Sequence, residues 1–276
     1  MSQLDDHWHF RNATDAWNVE EESLDHINLR IHDGVAIENL DSRGDSFVRH
    51  VCSLFPYIDF NKPHVLEIGS GVGYIMAAVE RATRDSAADR SIIGLDVSLS
   101  MIGRAQERLA SLPDAPKDVF SFLHYNGLHI PLSDNSVDII YSFATLQHIP
   151  KPYVYNLFYE IKRILKPSGL AVLHFLPFSY LSEQERVLPW RNEVLQQVGL
   201  GPNGHWHHYY STEELSQVFA VTGFAHIDLS PGIFACIGKQ PIATNDYPVK
   251  QPSFSDKATV KTGIFSLVKS LFASRS

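Results

Sequence analysis

The chain reads as an α/β protein built on a doubly wound, mostly parallel sheet. A short apolar run, Val65 to Ile68, breaks into glycines at 69, 71 and 73 and resumes at helical spacing. That strand–turn–helix order opens nucleotide-binding sheets, where glycines bring backbone close to a ligand. Short apolar runs and amphipathic stretches then alternate from 64 to 176, which implies parallel strands joined by right-handed crossovers. Near the end, two β-rich runs are separated only by Ser230-Pro231, a link that permits a hairpin and no crossover.

The elements follow in order. Ser46 to Tyr57 has apolar residues at helical spacing with Ser46 as a candidate cap, a helix expected to pack on the sheet before its first strand. His64–Ile68 is the first strand and Gly73–Arg84 the first crossover helix. Ser91–Leu95 is the second strand. Ser98 caps a helix to about Leu112, with Leu99, Ile102, Ala105 and Leu109 on its apolar face. Val119–His124 and Val137–Tyr141 are strands, the latter apolar throughout as a strand buried on both faces should be. Pro152–Leu165 is a helix stopped at Lys166-Pro167-Ser168-Gly169. Leu170–Leu176 is the fifth strand, and Ser211 caps a helix to Thr222 with Glu213 and Glu214 in its first turn. Ala225–Leu229 and Gly232–Ile237 form the closing hairpin.

Glycine spacing separates two ligand classes. A dinucleotide loop needs G-x-G-x-x-G, but here Gly73 arrives one residue early and the required position holds Tyr74. Glu67 sits at the strand end, where its charge would repel a pyrophosphate and suit an ammonium or sulfonium. With Leu95-Asp96 ending the second strand, the segment resembles the class I S-adenosylmethionine-dependent methyltransferases, in particular small-molecule, type 11-like members. The resemblance runs from about 46 to 239. It implies a seven-stranded sheet of order 3-2-1-4-5-7-6 whose last strand is antiparallel, with a helical N-terminal cap.

The resemblance also implies a cofactor set. Gly69, Gly71 and Gly73 would let the backbone approach S-adenosylmethionine, Glu67 would face its ammonium, and Asp96 would accept from the ribose diol. Val97 and Met101 would pack on adenine, and Ser142, just past the fourth strand, is counted with them. Asn126 stands where the family commonly has Asp; its amide oxygen would accept from the adenine amine beside Gly127, or the pair forms a tight turn. Tyr125 replaces the family's glycine and would stack on or crowd adenine.

Methyl transfer to a hydroxyl asks for a general base. His148, in the loop after the fourth strand, is one candidate, with backbone ordering of that loop as its other reading. His207 and His208, within His205 to Tyr210, are the others. They also read as part of an aromatic cluster packed under a lid over residues 177–211, and no carboxylate set accompanies them at metal-site spacing. Trp17 with Glu20, Glu21 and Glu22 forms either a flap over the cofactor or an exposed acidic helix start.

The chain has 276 residues, room for one domain with appendages, and a net charge of -8. That balance argues against a nucleic-acid partner and favours a small-molecule or glycan substrate. Cys52 and Cys236 read as reduced core residues. The start lacks a basic-then-apolar leader, so a cytoplasmic location is expected. Residues 1–45 are expected to form the cap, 46–240 the catalytic domain, and 241–276 a linker with an amphipathic helix. The tail carries Lys250, Lys257, Lys261, Lys269 and Arg275 against Asp246 and Asp256, giving +5 - 2 = +3. This charge reversal suits either docking on the protein's own body or a partner subunit, or weak contact of residues 260–275 with an anionic inner membrane face. Two other functions stay open: a nicotinamide-dependent oxidoreductase, disfavoured by Tyr74 and the hairpin, and a non-catalytic S-adenosylmethionine-binding protein.

Overall fold

A computed structural model describes residues 17–18, 37–84, 90–112, 118–183 and 207–242. Most of the expected cap, Glu20 to Glu22, His205 and Trp206 of the insertion, and the basic tail lie outside the described residues. The strands of the main sheet are β1 (His64–Ile68), β2 (Ser91–Asp96), β3 (Phe120–His124), β4 (Val137–Ser142), β5 (Leu165–His174), β6 (His226–Asp228) and β7 (Phe234–Gly238). The helices are α1 (Ile37–Leu54), α2 (Tyr74–Thr83), α3 (Leu99–Ala110), α4 (Lys151–Ile164), a short α5 (Ser179–Glu183) and α6 (Thr212–Thr222). The sheet order is β3-β2-β1-β4-β5-β7-β6, as expected. β1 to β5 pair in parallel, while β7 runs antiparallel to both β5 and β6.

Two buried clusters sandwich the sheet. Along β5, Leu170 and Val172 face the cluster that holds α1 and α2, and Ala171 and Leu173 face the one that holds α4 and α6. This is the period-2 alternation of a strand covered on both sides. Among the described residues, no helix is long and apolar enough to cross a membrane.

Four local expectations are corrected. α1 begins at Ile37 and runs through Ser46, which caps nothing; its hydroxyl donates back to the Ser42 carbonyl at 2.8 Å, an intrahelical bond that competes with capping. The buried face of α3 is Met101, Ile102, Ala105 and Leu109, while Leu99 is 65% exposed. At 100° per residue Leu99 lies about a quarter turn from the centre of that face. The fifth strand starts at Leu165 rather than Leu170. Val137 pairs with Leu165 and Ile139 with Leu170, so the Lys166–Gly169 stretch bows out of the ladder instead of ending it. Lys166 fastens that bow to Asp138 at 2.7 Å. Cys52 lies on the exposed side of α1, and only Cys236 is in the core.

Gly44 explains how α1 reaches the sheet. A Cβ there would stand 2.7 Å from the Tyr74 carbonyl oxygen and 2.9 Å from the Ala78 Cβ. The bare backbone lets α1 lie directly on α2. Arg81 and Arg108 then tie Asp41 of α1 to α2 and α3 at 3.3 and 2.6 Å.

Candidate active site

The carboxyl ends of β1, β2, β4 and β5 form one edge. At β1, the chain leaves Ile68 into glycines with φ of 73° at Gly69, 50° at Gly71 and 75° at Gly73. Only glycine takes these left-handed angles without strain. The loop's own N–H groups turn inward. Gly69 and Ser70 donate to the Leu95 carbonyl at 2.8 and 3.1 Å, and Gly73 donates to Ser70 at 2.9 Å. Gly71 donates to the Asp96 carboxylate at 2.9 Å. The cradle therefore works by close approach rather than by donating these amides. At Gly71 a Cβ would meet nothing within 4 Å, so the loop presents bare backbone to open space. At Gly69 it would meet Thr145 at 2.3 Å, so this glycine serves contact with the loop after β4.

Two carboxyls flank the loop. Glu67 is 2% exposed and accepts from the Tyr141 hydroxyl at 3.1 Å. Burial raises its pKa well above the usual range; the Tyr141 bond and the Met76 amide oppose this, and nearby Asp96 adds to it. Such a shift favours the protonated carboxyl, and a cation beside it would oppose that. Asp96 also accepts from the Ser98 amide at 2.9 Å. Burial raises its pKa, against the Gly71, Ser98 and Val97 amides and His124. Each Asp96 oxygen thus holds one backbone amide, with further lone pairs to offer a diol.

The other expected contacts divide. Val97 is half-buried against the α4 side cluster. Met101 is 2% exposed in the opposite cluster, so its side chain fills the core. Ser142 is wholly buried and donates to the Ile68 carbonyl at 2.9 Å, locking β4 to β1 beneath the loop. The Asn126 oxygen accepts from the Leu128 and His129 amides at 3.0 and 2.9 Å, with Gly127 at φ 75°. Both lone pairs of that oxygen are engaged, so the tight-turn reading describes its geometry and the amine-accepting one does not. Tyr125 is 6% exposed, and its amide donates to the Asp96 carbonyl at 3.2 Å.

The histidines converge. His148 ends a 3-10 turn, Leu146–His148, just past Ala144, a non-glycine residue at φ 55°. Its ring lies 4.9 Å from that of His207 and 5.4 Å, edge-on, from Trp17. The Gln147 amide nitrogen is 3.3 Å from His148 Nε2. The His208 amide donates to the Gln147 carbonyl at 2.7 Å, stitching the end of the insertion to the loop after β4. Burial, then Lys151 and His207, lower the His208 pKa. Trp17 belongs to this group too, since Ser98 Oγ donates to its carbonyl at 2.9 Å.

One residue escaped sequence reasoning. His174, the last residue of β5, is 1% exposed, and among the described residues neither ring nitrogen has a hydrogen-bond partner. The available signal was a lone imidazole ending an apolar strand, Leu170 to Phe175.

A sheet of this order, with a glycine loop bolted to an acidic second-strand end, is that of the class I S-adenosylmethionine-dependent methyltransferases. Residues 66–173 match the family described as "Methyltransferase domain". A Mycobacterium ulcerans (strain Agy99) protein described as an uncharacterized methyltransferase is 32% identical over 111 residues, 40% of this chain and 38% of its own. The malonyl-(acyl-carrier protein) O-methyltransferase of Marinomonas sp. (strain MWYL1) is 28% identical over 154 residues, 55% of this chain and 48% of that one. The chain spans less than half the length of these two curated relatives. Among solved structures, DhpI in complex with SAH aligns over 86% of this chain and 99% of that one, with a TM-score of 0.54 at 15% identity. That is a likeness of fold.

Proposed function

We propose that the protein transfers a methyl group from S-adenosylmethionine to a hydroxyl of a small molecule. The observation that carries the reading is the Gly71 cradle, held by Asp96 and open where a side chain would stand. A sulfonium nucleoside fits the groups around it. Glu67 would face the ammonium and Asp96 the ribose. When bound, S-adenosylmethionine supplies an electrophilic methyl carbon, so the protein's share is to orient the acceptor and exclude water.

The histidine group supports hydroxyl chemistry. The Gln147 side-chain amide lies 3.3 Å from His148 Nε2 and holds the ring in place. His148 then orders the site, and His207, ring against ring with it, takes the acceptor proton. His208 follows His207 in the chain, and burial, then Lys151 and His207, lower its pKa. Trp17 closes the group from above Ser98.

Calorimetry with S-adenosylmethionine and NAD, followed by transfer of a labelled methyl group to a hydroxylated small-molecule panel, tests this. S-adenosylmethionine is expected to bind and NAD not. His207→Ala should lower turnover by about 100-fold or more while leaving nucleoside affinity unchanged. Binding of NAD alone would overturn the reading.

A further inference from the structure

The geometry points to His174 as the polar contact for the methyl acceptor, which is a flat apolar ring bearing one hydroxyl, a phenol or enol. This inference rests on the methyltransferase reading above and specifies its substrate class.

Position is the first support. His174 ends β5 at the edge shared by the glycine loop and Ser142. Its neighbour Leu173 pairs with Ser142. Leu170 and Val172 lie in the α1/α2 cluster, and strand alternation places His174 on that same face, on the side of Glu67's partner Tyr141. In open α/β sheets, ligands sit outside the carboxyl ends of the strands.

The surroundings are the second. The His174 ring centroid lies 4.8 Å from Phe143 and 5.2 Å from Phe234. Those two phenyl rings are near-parallel, 14° apart in plane at 6.2 Å. Phe47 and His50 of α1 back Phe234 at 6.1 and 6.0 Å. Walls of this kind suit a planar apolar body. A sugar would need a hydrogen-bond partner for each of several hydroxyls.

The third is the cost of keeping an imidazole here. A buried donor and a buried acceptor left unpaired each cost roughly 1–3 kcal/mol, so Phe or Leu would serve the fold better. Buried polar groups without partners are uncommon and point to a role beyond packing. Burial pushes the His174 pKa down to about 3. The ring is therefore neutral at working pH, too weak a base to take the proton, but able to donate a ring N–H to the acceptor's hydroxyl oxygen while His207 takes its proton.

The test uses the full chain saturated with S-adenosylhomocysteine, with phenol and toluene as probes of one shape and different polarity. Affinities are read by NMR with ring-labelled histidine. The phenol-to-toluene affinity ratio is expected to fall about 5- to 10-fold in His174→Phe, and to survive in part in His174→Gln. In the wild type, phenol should shift the His174 ring nitrogens and toluene should not. An unchanged ratio, or silent His174 nitrogens with phenol bound to the wild type, overturns the inference and leaves the methyltransferase reading standing. Failure of the wild type to bind S-adenosylhomocysteine overturns both.

Discussion

At the scale of single residues, Glu67 makes the sharpest forecast. Burial holds its carboxyl protonated well above the usual range in the free protein. A cationic ammonium beside it favours the ionised form, so binding must expel a proton. Affinity for S-adenosylmethionine should therefore fall as pH drops through the raised Glu67 pKa, where the free protein holds a proton that the complex does not. Calorimetry in buffers of different ionisation enthalpy should register that release. Glu67→Gln should abolish it and weaken binding roughly 10- to 100-fold, while its amide keeps the Tyr141 contact. Release unaltered in the variant would assign the proton elsewhere. Which residues matter here was legible because the glycine loop and its acids are a local pattern. What they do was only half legible. Asp96 pins the Gly71 amide across 25 positions of sequence, and Asn126 spends its oxygen on its own loop. Spacing cannot reveal that a polar group is already engaged.

At the scale of elements, backbone contact between α1 and α2 decides stability. Gly44→Ala would gain up to about 1 kcal/mol of helix propensity. Against this, its Cβ would press the Tyr74 carbonyl at 2.7 Å, and overpacking costs typically 1–3 kcal/mol. The clash wins because its partner is backbone and cannot swing aside. A net loss of about 1–2 kcal/mol is expected, read from urea midpoints. A gain would mean that the two helices do not approach this closely at Gly44. The strand-and-helix alternation was readable from periodicity, since each run is short, apolar and buried on both sides. The length of α1 and the bowed start of β5 were not. Ser46 carries the chemistry of a cap, and Lys166-Pro167-Ser168-Gly169 that of a stop; an intrahelical bond to Ser42 and the pairing of Leu165 with Val137 decide otherwise.

At the scale of the whole molecule, proton uptake sets acid tolerance. Burial depresses the pKa of His50, His174, His208 and His226. Unfolded, these rings charge near pH 6.5; folded, they resist, His174 down to about 3. Their contribution is whole above about 6.5 and is lost as pH falls below it. Glu67 and Asp96 act in the opposite sense, since the folded state takes their protons first. Four groups against two leaves the unfolded chain the stronger proton binder. Stability should drop between about pH 7.5 and 5, by about 1.4 kcal/mol per unit for each net proton. Urea unfolding across that range checks the slope, which His174→Phe should flatten; a slope of opposite sign would refute the balance.

The reversed final strand divides labour along the chain. Because β7 runs against its neighbours, its first residue, Phe234, arrives opposite His174 at the reacting edge. On the proposed reading, the methyl donor would be recognised by the first two strands, and one face for the recipient supplied by the last. Substitutions in the closing hairpin can retune what is accepted while the donor's seat stays untouched.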